Sequence, residues 1–218
     1  MEQANTRMQQ TRAGRPKSQE KRNAILLAAT DLFLQYGFNQ TSMQQVAERS
    51  EVSKQTVYSH FSNKDALFSA VIKFKCEEYL IKIENLADYD GSLKSALTVI
   101  ATRFLALFQD QAVVDMFSII IAEARNTPRA AELFYQAGPQ ASVSALADII
   151  FAADETSMSQ TQAQLLAIDF YTMLKGHWHM RSLMKLSYVL NEAEKEAHIR
   201  RVVDKTMCLL EHYYTHAE

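Results

Sequence analysis

Apolar residues recur at helical spacing along most of the chain. From Ile25 to Tyr36 they follow an i, i+3, i+4, i+7 pattern, and Gly37 comes next, where a helix end favours a residue that tolerates positive φ. Similar stripes return between residues 93 and 124 and between residues 165 and 214. No segment alternates apolar and polar residues over the length of a strand. The pattern predicts an all-α fold of about nine helices.

Three helix starts lie close together in the first third of the chain. Ser42 and Gln45 have the Ser-x-x-Gln form of a capping box, and Ser53 is placed to cap a second short helix. Ser62 or Asn63 precedes a further start. Helices of about two turns bury little surface, so the long helix before them must hold them in place. The segment predicts an N-terminal three-helix domain of the helix-turn-helix type.

The helix after Ser53 has a polar, aromatic and cationic outer face. A single helix fits the major groove of DNA, where base edges offer hydrogen-bond donors and acceptors, while other side chains hold the phosphates. The predicted base-reading residues are Gln44, Lys54, Gln55 and Thr56, and the predicted phosphate ligands are Tyr58, His60 and Lys64. The alternatives are that Tyr58 and His60 only pack against the domain, and that Lys64 is a solvated lysine balanced by Asp65.

Charge is distributed unevenly. Residues 1–65 contain nine Lys and Arg against six Asp and Glu, whereas the remainder contains fourteen against nineteen. The basic residues concentrate before the first helix and include Arg15 and Lys17. We expect residues 1–17 to form a flexible basic arm that lies along the DNA backbone or enters a minor groove. A solubilising tail is the alternative.

Composition indicates two domains. A chain of 218 residues that is 48% apolar can bury a substantial core, and we expect a DNA-binding domain at residues 18–65 and a larger domain at residues 66–218. Cys76 and Cys208 lack metal-ligand spacing, which predicts buried thiols in a reducing compartment. We expect a cytoplasmic protein with no signal peptide, no membrane span, no metal and no cofactor.

Three segments carry a resemblance to a known family. The sequences GRPK from Gly14, ILLAATDLFLQYGF from Ile25 and SKQTVYSHFSNKDALF from Ser53 resemble the TetR/AcrR family of transcriptional regulators. The resemblance implies DNA contacts from the residues at matching positions, which are Ser42, Gln44, Lys54, Gln55, Thr56, Tyr58, His60 and Lys64. Two residues depart from the family pattern. Glu51 and Gln55 replace frequent glycines, so Glu51 must either adopt a left-handed conformation, at a cost of roughly 1 kcal/mol, or change the turn.

The segment Met116–Pro139 resembles the C-terminal domain of AefR-like members of the same family. This resemblance implies an apolar cavity for a small-molecule effector, lined by Phe104, Phe108, Met116, Phe117, Ile120, Tyr135, Phe170, Met173, His177 and Trp178. Ordinary core packing is the alternative for each of them. His177 and His179 are two residues apart on a helix and point about 200° apart, which argues against a metal site.

Residues 165–184 are apolar on nearly all sides, so a single core face cannot bury them. We expect the last two helices to form a four-helix bundle with a second copy of the chain. The prediction is therefore a homodimeric repressor, not an enzyme, that leaves a palindromic double-stranded operator when an apolar or amphipathic effector binds. The alternative is a DNA-binding protein of the same fold that answers to a protein partner or acts as an activator.

Overall fold

The computed structural model describes residues 14–79, 90–153, 158–186 and 189–215. Its helices are α1 (Gly14–Gln40), α2 (Met43–Arg49), α3 (Lys54–His60), α4 (Lys64–Glu77), α5 (Leu93–Gln109), α6 (Gln111–Glu123), α7 (Pro128–Tyr135), a π-helical segment (Gln136–Gln140), α8 (Ala141–Ala152), α9 (Gln160–Leu183) and α10 (Glu192–Thr215). No strand occurs among these described residues. α7, the π segment and α8 form one continuous helix, so the described ranges contain nine helices, which confirms the predicted all-α fold class.

The structure divides into two units after Leu67, two residues beyond the boundary expected from the sequence. The division falls within α4, whose first turn belongs to the N-terminal unit. α1 begins at Gly14, so the end of the segment predicted as a flexible arm is helical, with Pro16 in the first turn, where its missing N–H costs nothing. Residues 1–13 of that arm lie outside the described residues.

Local sequence signals determine the short helices of the N-terminal unit. The capping box of Ser42 and Gln45 is present, and Ser53 Oγ accepts from Thr56 N. Asn63, one of the two predicted caps for α4, accepts from Ala66 N at 2.8 Å. Glu51 adopts φ 55°, so the left-handed alternative is the one observed. These caps set the direction in which each short helix leaves its turn.

The larger unit packs its helices around an apolar core. Its fully buried members come from four helices: Leu97 and Leu105 from α5, Leu146 and Ile150 from α8, Leu166, Phe170 and Leu174 from α9, and Val203 and Leu210 from α10. α5 follows the break at Gly91, as the sequence predicts, and its C-cap residue Asp110 also caps α6 by accepting from Ala112 N and Val113 N. Asp110 therefore lies at the corner where the chain turns from α5 into α6.

The π segment lies where Pro139 interrupts the helix. Proline has no N–H to donate, and a wider turn accommodates its ring. The backbone comes close to a neighbouring side chain here, since a Cβ added at Gly138 would lie 3.2 Å from Cγ2 of Ile72 in α4. The absence of a side chain at position 138 thus permits the contact with α4.

α9 is also interrupted, at Gly176, which has φ 54°. The carbonyl oxygen of Leu174 lies 2.9 Å from His198 Nε2 of α10, and Arg201 Nη2 lies 2.8 Å from the other ring nitrogen of His198. A donation from arginine fixes Nδ1 as an acceptor and leaves the Nε2 proton for the carbonyl. α10 thereby satisfies a backbone group that the break in α9 releases.

Candidate functional site

α3 presents its polar face outward because its apolar residues are anchored. Val57 is fully buried and Phe61, which ends the helix, is nearly so, while Lys54, Gln55 and Tyr58 are exposed. Tyr58 is 46% exposed, which argues against the alternative that it only packs against the domain. An exposed basic and amide-bearing face on a rigidly held helix is suited to insertion into a major groove.

The other predicted contact residues on α2 and α3 already have partners within the unit. Ser42 Oγ accepts from Gln45 N, and Gln44 Nε2 donates to Glu48 Oε1 at 2.8 Å. The hydroxyls of Ser53 and Thr56 are 2.8 Å apart. His60 is half-buried beside Phe61. A DNA contact by Gln44 or Thr56 would therefore replace, or share, an existing hydrogen bond. The backbone of Arg15 and Lys17 lies in the first turn of α1, and a role for their side chains stays a prediction.

Lys64 is tied to the end of α1 and is not the solvated lysine of the alternative interpretation. Its Nζ donates to the carbonyl oxygens of Phe38 at 2.9 Å and Asn39 at 3.3 Å, and lies 4.4 Å from the centre of the Phe38 ring. Burial lowers the pKa of Lys64, and the charge of Asp65 opposes that shift. Carbonyls at a helix C-terminus favour a cation. Lys64 therefore joins the first turn of α4 to α1.

Aromatic rings fill the interior of the larger unit. Phe108 contacts Phe104 at 5.5 Å, Phe117 at 6.4 Å and Trp178 at 6.5 Å between ring centres, and Phe117 lies 4.7 Å from Phe134. Of the ten predicted cavity residues, six are buried: Phe104, Phe108, Met116, Ile120, Phe170 and Trp178. Phe117 and Met173 are half-buried. Phe108 is the residue that joins the rings of α5, α6 and α9.

Two of the predicted cavity residues are not interior. Tyr135 is 61% exposed, and its neighbour Phe134 points inward instead. His177 is exposed, whereas His179 is only 6% exposed. His177 lines a groove of about 470 Å³ between α9 and α10, together with Met173. The predicted set is therefore divided: most of its members lie in the interior, Met173 and His177 line this groove, and Tyr135 is exposed on α7.

His179 is an interior residue that the predicted site omits. Its ring lies 5.0 Å from that of Phe108, 5.4 Å from that of Phe117 and 5.8 Å from that of Trp178. Its Nδ1 has no hydrogen-bond partner. Burial, and then the charge of Lys175, lower the pKa of His179 to about 4. Helical spacing from Lys175 could not have identified it, because Gly176 interrupts α9 between the two residues.

The end of α4 is attached to the corner between α5 and α6. Lys75 Nζ lies 2.8 Å from Asp110 Oδ2, and the hydroxyl of Tyr79 donates to the same oxygen. Burial would lower the pKa of Lys75, but its bonds to Asp110 and Glu78 outweigh that effect and raise it. Burial likewise would raise the pKa of Asp110, but Lys75 and Tyr79 leave it below its usual value. The ion pair is thus stable in its charged form.

The two cysteines differ in their surroundings. Burial raises the pKa of the Cys76 thiol to about 11, so that thiol is unreactive at neutral pH. Cys208 is exposed, and the prediction that both thiols are buried is wrong for it. It lies on the face of α10 that points away from Val202 and Thr206 and towards solvent in this chain.

Two family models match the chain. The model of the bacterial regulatory proteins of the tetR family matches residues 25–71, which cover α2 and α3 and parts of the flanking helices. The model of the AefR-like transcriptional repressor C-terminal domain matches residues 95–212, more than half of the chain. The chain belongs to the TetR family. It is a transcriptional regulator with a helix-turn-helix N-terminal unit.

Curated relatives of this TetR-family chain are likewise named as transcriptional regulators. It is 45% identical to the HTH-type transcriptional regulator YdeS of Bacillus subtilis over 58 residues, which are 27% of this chain and 29% of YdeS. It is 32% identical to the HTH-type transcriptional repressor BepR of Brucella suis over 104 residues, 44% of this chain and 48% of BepR. The chain thus spans less than half the length of these curated relatives.

A solved structure matches the TetR-family chain over most of its length. The flavonoid-responsive regulator FrrA is 29% identical, with a TM-score of 0.65, over 88% of this chain and 97% of the FrrA chain. Regulators of this family are not enzymes. Within the described ranges, no group of three or more His, Cys, Asp or Glu side chains could hold a metal ion. In the same ranges no single helix has the length and apolar character of a membrane span, although α5 and α6, bent by 68°, meet that test as a pair.

Proposed function

We propose that this TetR-family regulator is a homodimeric repressor that binds a palindromic double-stranded operator and leaves it when an apolar or amphipathic small molecule occupies the larger unit. The observation that carries the proposal is the exposed face of α3, where Lys54, Gln55 and Tyr58 project from a helix anchored by Val57. Lys54 and Gln55 read bases, and Tyr58, His60 and Lys64 hold phosphates.

Dimerisation is supported by the two apolar sides of α9. Leu166 and Phe170 are fully buried in the chain's own core, whereas Leu165 and Ile168 on another side of the helix are 52% and 43% exposed. Exposed apolar side chains on a core helix favour burial against a partner. A two-fold dimer would place two α3 helices about 34–36 Å apart, one turn of DNA, and would read a palindrome.

Control by a small molecule is supported by the interior aromatic cluster around Phe108. Rings from α5, α6, α7 and α9 meet there, and apolar surroundings with few polar groups are typical of ligand sites. FrrA, to which the chain is similar over nearly its whole length, is named for its response to flavonoids, which supports an effector of small size for this chain.

α4 is the proposed route from effector to DNA. Its first turn carries Lys64, a proposed phosphate ligand, and its last turn carries Lys75, which is paired with Asp110 at the corner of α5 and α6. An effector that separates the rings of Phe108 and Phe117 would displace that corner, and α4 with it. The effector must bind the released state more tightly than the DNA-bound state for this displacement to be favoured.

Footprinting on the DNA that flanks the gene of this protein tests the proposal. We expect a protected palindrome, whose protection is lost when an effector is added. Tyr58→Phe should weaken binding to every sequence and leave the salt dependence unchanged, because the hydroxyl that it removes carries no charge, whereas Gln55→Ala should change the consensus obtained by binding-site selection. Lys73→Ala, an exposed lysine of the other unit, is the control. An unchanged consensus for Gln55→Ala would refute its role in base reading.

Two further measurements separate the proposal from its alternatives. Sedimentation equilibrium should show a dimer, and Ile168→Glu should give a monomer with unchanged helical content, because the charge replaces an exposed apolar contact. A reporter fused to the operator should be silent without effector. A reporter activated by the protein, or an interior that binds no small molecule in a thermal-shift panel, would favour the activator or the protein-partner alternative.

A further inference from the structure

The interior of the larger unit holds a cation that none of the described carboxylates neutralises. Nζ of Lys175 lies 5.5 Å from the centre of the Phe108 ring, and the side chain is half-buried. The described ion pairs involve other residues. Burial lowers the pKa of Lys175, so the surroundings disfavour its charge. Free energy would be recovered if an opposite charge bound beside it.

His179 adds an unpaired polar atom at the same place. It is 6% exposed, its ring lies 5.0 Å from Phe108, and its Nδ1 makes no hydrogen bond. Nζ of Lys175 and the ring of His179 lie beside the same ring, that of Phe108, and the charge of Lys175 contributes to the lowered pKa of His179. A buried ring nitrogen without a partner forgoes a hydrogen bond, and its N–H could donate one to an oxygen of a bound ligand.

We infer that this site selects an acidic amphipathic ligand, in which one carboxylate or phenolate oxygen pairs with Lys175 and bonds to His179 while an apolar body packs among Phe108, Phe117 and Phe134. The inference rests on the proposed function, because it names the chemical class of the effector. One ammonium can neutralise one acidic group, so the ligand carries a single acid. The rings are already in contact, so the ligand must part Phe108 from Phe117 to enter.

The single tryptophan of the chain makes binding at this place visible. Trp178 is the only tryptophan in the sequence, and its ring lies 5.8 Å from that of His179 and 6.5 Å from that of Phe108. Indole emission of the full-length protein would be followed while two acids, 4-phenylbutyrate and decanoate, are added. Their primary amides, which have nearly the same shape and no charge, are the matched probes. We expect each acid to bind at least tenfold more tightly than its amide.

Variants at position 175 test whether Lys175 causes the preference for each acid over its amide. Lys175→Met keeps the chain length and removes the charge, so it should abolish the preference for the acid and leave the affinity of the amide unchanged. Lys175→Arg should retain the preference. Lys73→Met, an exposed lysine of the same unit, should behave as the wild type. Thermal unfolding of Lys175→Met should occur at the same or a higher temperature, because an unneutralised charge has been removed.

The outcomes distinguish this inference from the proposed function. If neither acid changes the emission at millimolar concentration, or if the amides bind as tightly as the acids, the acidic class is wrong. Operator release by a neutral compound would then leave the proposed repressor intact. If the acids bind through Lys175 but do not change operator binding, the inferred class of ligand is correct and the proposed control of operator binding by an effector is wrong.

Discussion

Substituting Lys64 by methionine separates its contacts within the N-terminal unit from its proposed contact with DNA. The ammonium donates to the carbonyl oxygen of Phe38 at 2.9 Å and, with a longer bond, to that of Asn39, and it lies over the Phe38 ring. A hydrogen bond to a charged group contributes roughly 1.5–3 kcal/mol and an exposed cation–π contact about 0.5–1 kcal/mol. Burial and partial solvation of the ammonium oppose these terms, and we expect Lys64→Met to destabilise the unit by about 1 kcal/mol.

Hydrogen exchange read by mass spectrometry on the full chain would detect this loss. Amides of α2 and α3 should exchange about fivefold faster in Lys64→Met, because about 1 kcal/mol corresponds to that factor in the open population. Lys54→Met removes an exposed charge from α3 and should leave exchange unchanged. Unaltered exchange in Lys64→Met would mean that the contacts with Phe38 and Asn39 contribute nothing to stability.

Operator binding at several salt concentrations tests whether Lys64 also contacts a DNA phosphate. If Lys64 also holds a phosphate, the slope of the logarithm of affinity against the logarithm of salt concentration should fall by about 1 in Lys64→Met. A weaker affinity with an unchanged slope would show that Lys64 acts only through the fold. That result would remove Lys64 from the proposed phosphate ligands and leave Tyr58 and His60.

Three other substitutions test contacts in the two units. Glu51→Gly should stabilise the N-terminal unit by about 1 kcal/mol in urea unfolding, because glycine adopts φ 55° without strain; Glu51→Ala keeps the strain, and an equal gain from it would refute this explanation. His179 has its pKa lowered from 6.5 to about 4, so the unfolded chain binds a proton between those pH values that the folded chain excludes. Wild-type stability should fall by on the order of 3 kcal/mol as pH drops through that window, and His179→Phe should not show this loss. Asp110→Asn keeps an acceptor that can cap α6 but removes the more buried of the two carboxylates paired with Lys75, so the variant should be less stable at neutral pH. It should converge with the wild type as acid protonates Asp110, whose folded-state pKa lies below its usual value, and a difference that persists in acid would assign the effect to the cap.

Local hydrogen bonding explains why the short helices could be predicted from the sequence. A serine that caps a helix accepts a hydrogen bond from a backbone N–H only three positions away. The caps of α2 and α3 at Ser42 and Ser53 could therefore be predicted without knowledge of the tertiary structure. The positive φ of Glu51 was one of two alternatives that the family resemblance left open, because a glycine is frequent at that turn position. The domain and family assignment followed from these signals together.

Positions that depend on tertiary contacts could not be predicted in this way. The partners of Lys64 are carbonyls some 25 residues earlier, which no local pattern relates to it. The positive φ of Gly176 interrupts α9, so helical spacing counted across it does not identify His179 as the interior histidine. The choice between Phe134 and Tyr135 likewise depends on which one meets the ring of Phe117.

The close approach of Gly138 to Ile72 has a consequence for how related sequences vary. A Cβ at position 138 would lie 3.2 Å from Cγ2 of Ile72, so the two positions share one volume between the π segment and α4. A methyl group gained at the first position requires the Ile72 side chain to shift by a few tenths of an ångström, and the loss of the Cγ2 branch would make room for it. We therefore expect the two positions to covary among descendants of this gene: glycine would accompany a β-branched residue in α4, and alanine would accompany a residue without that branch.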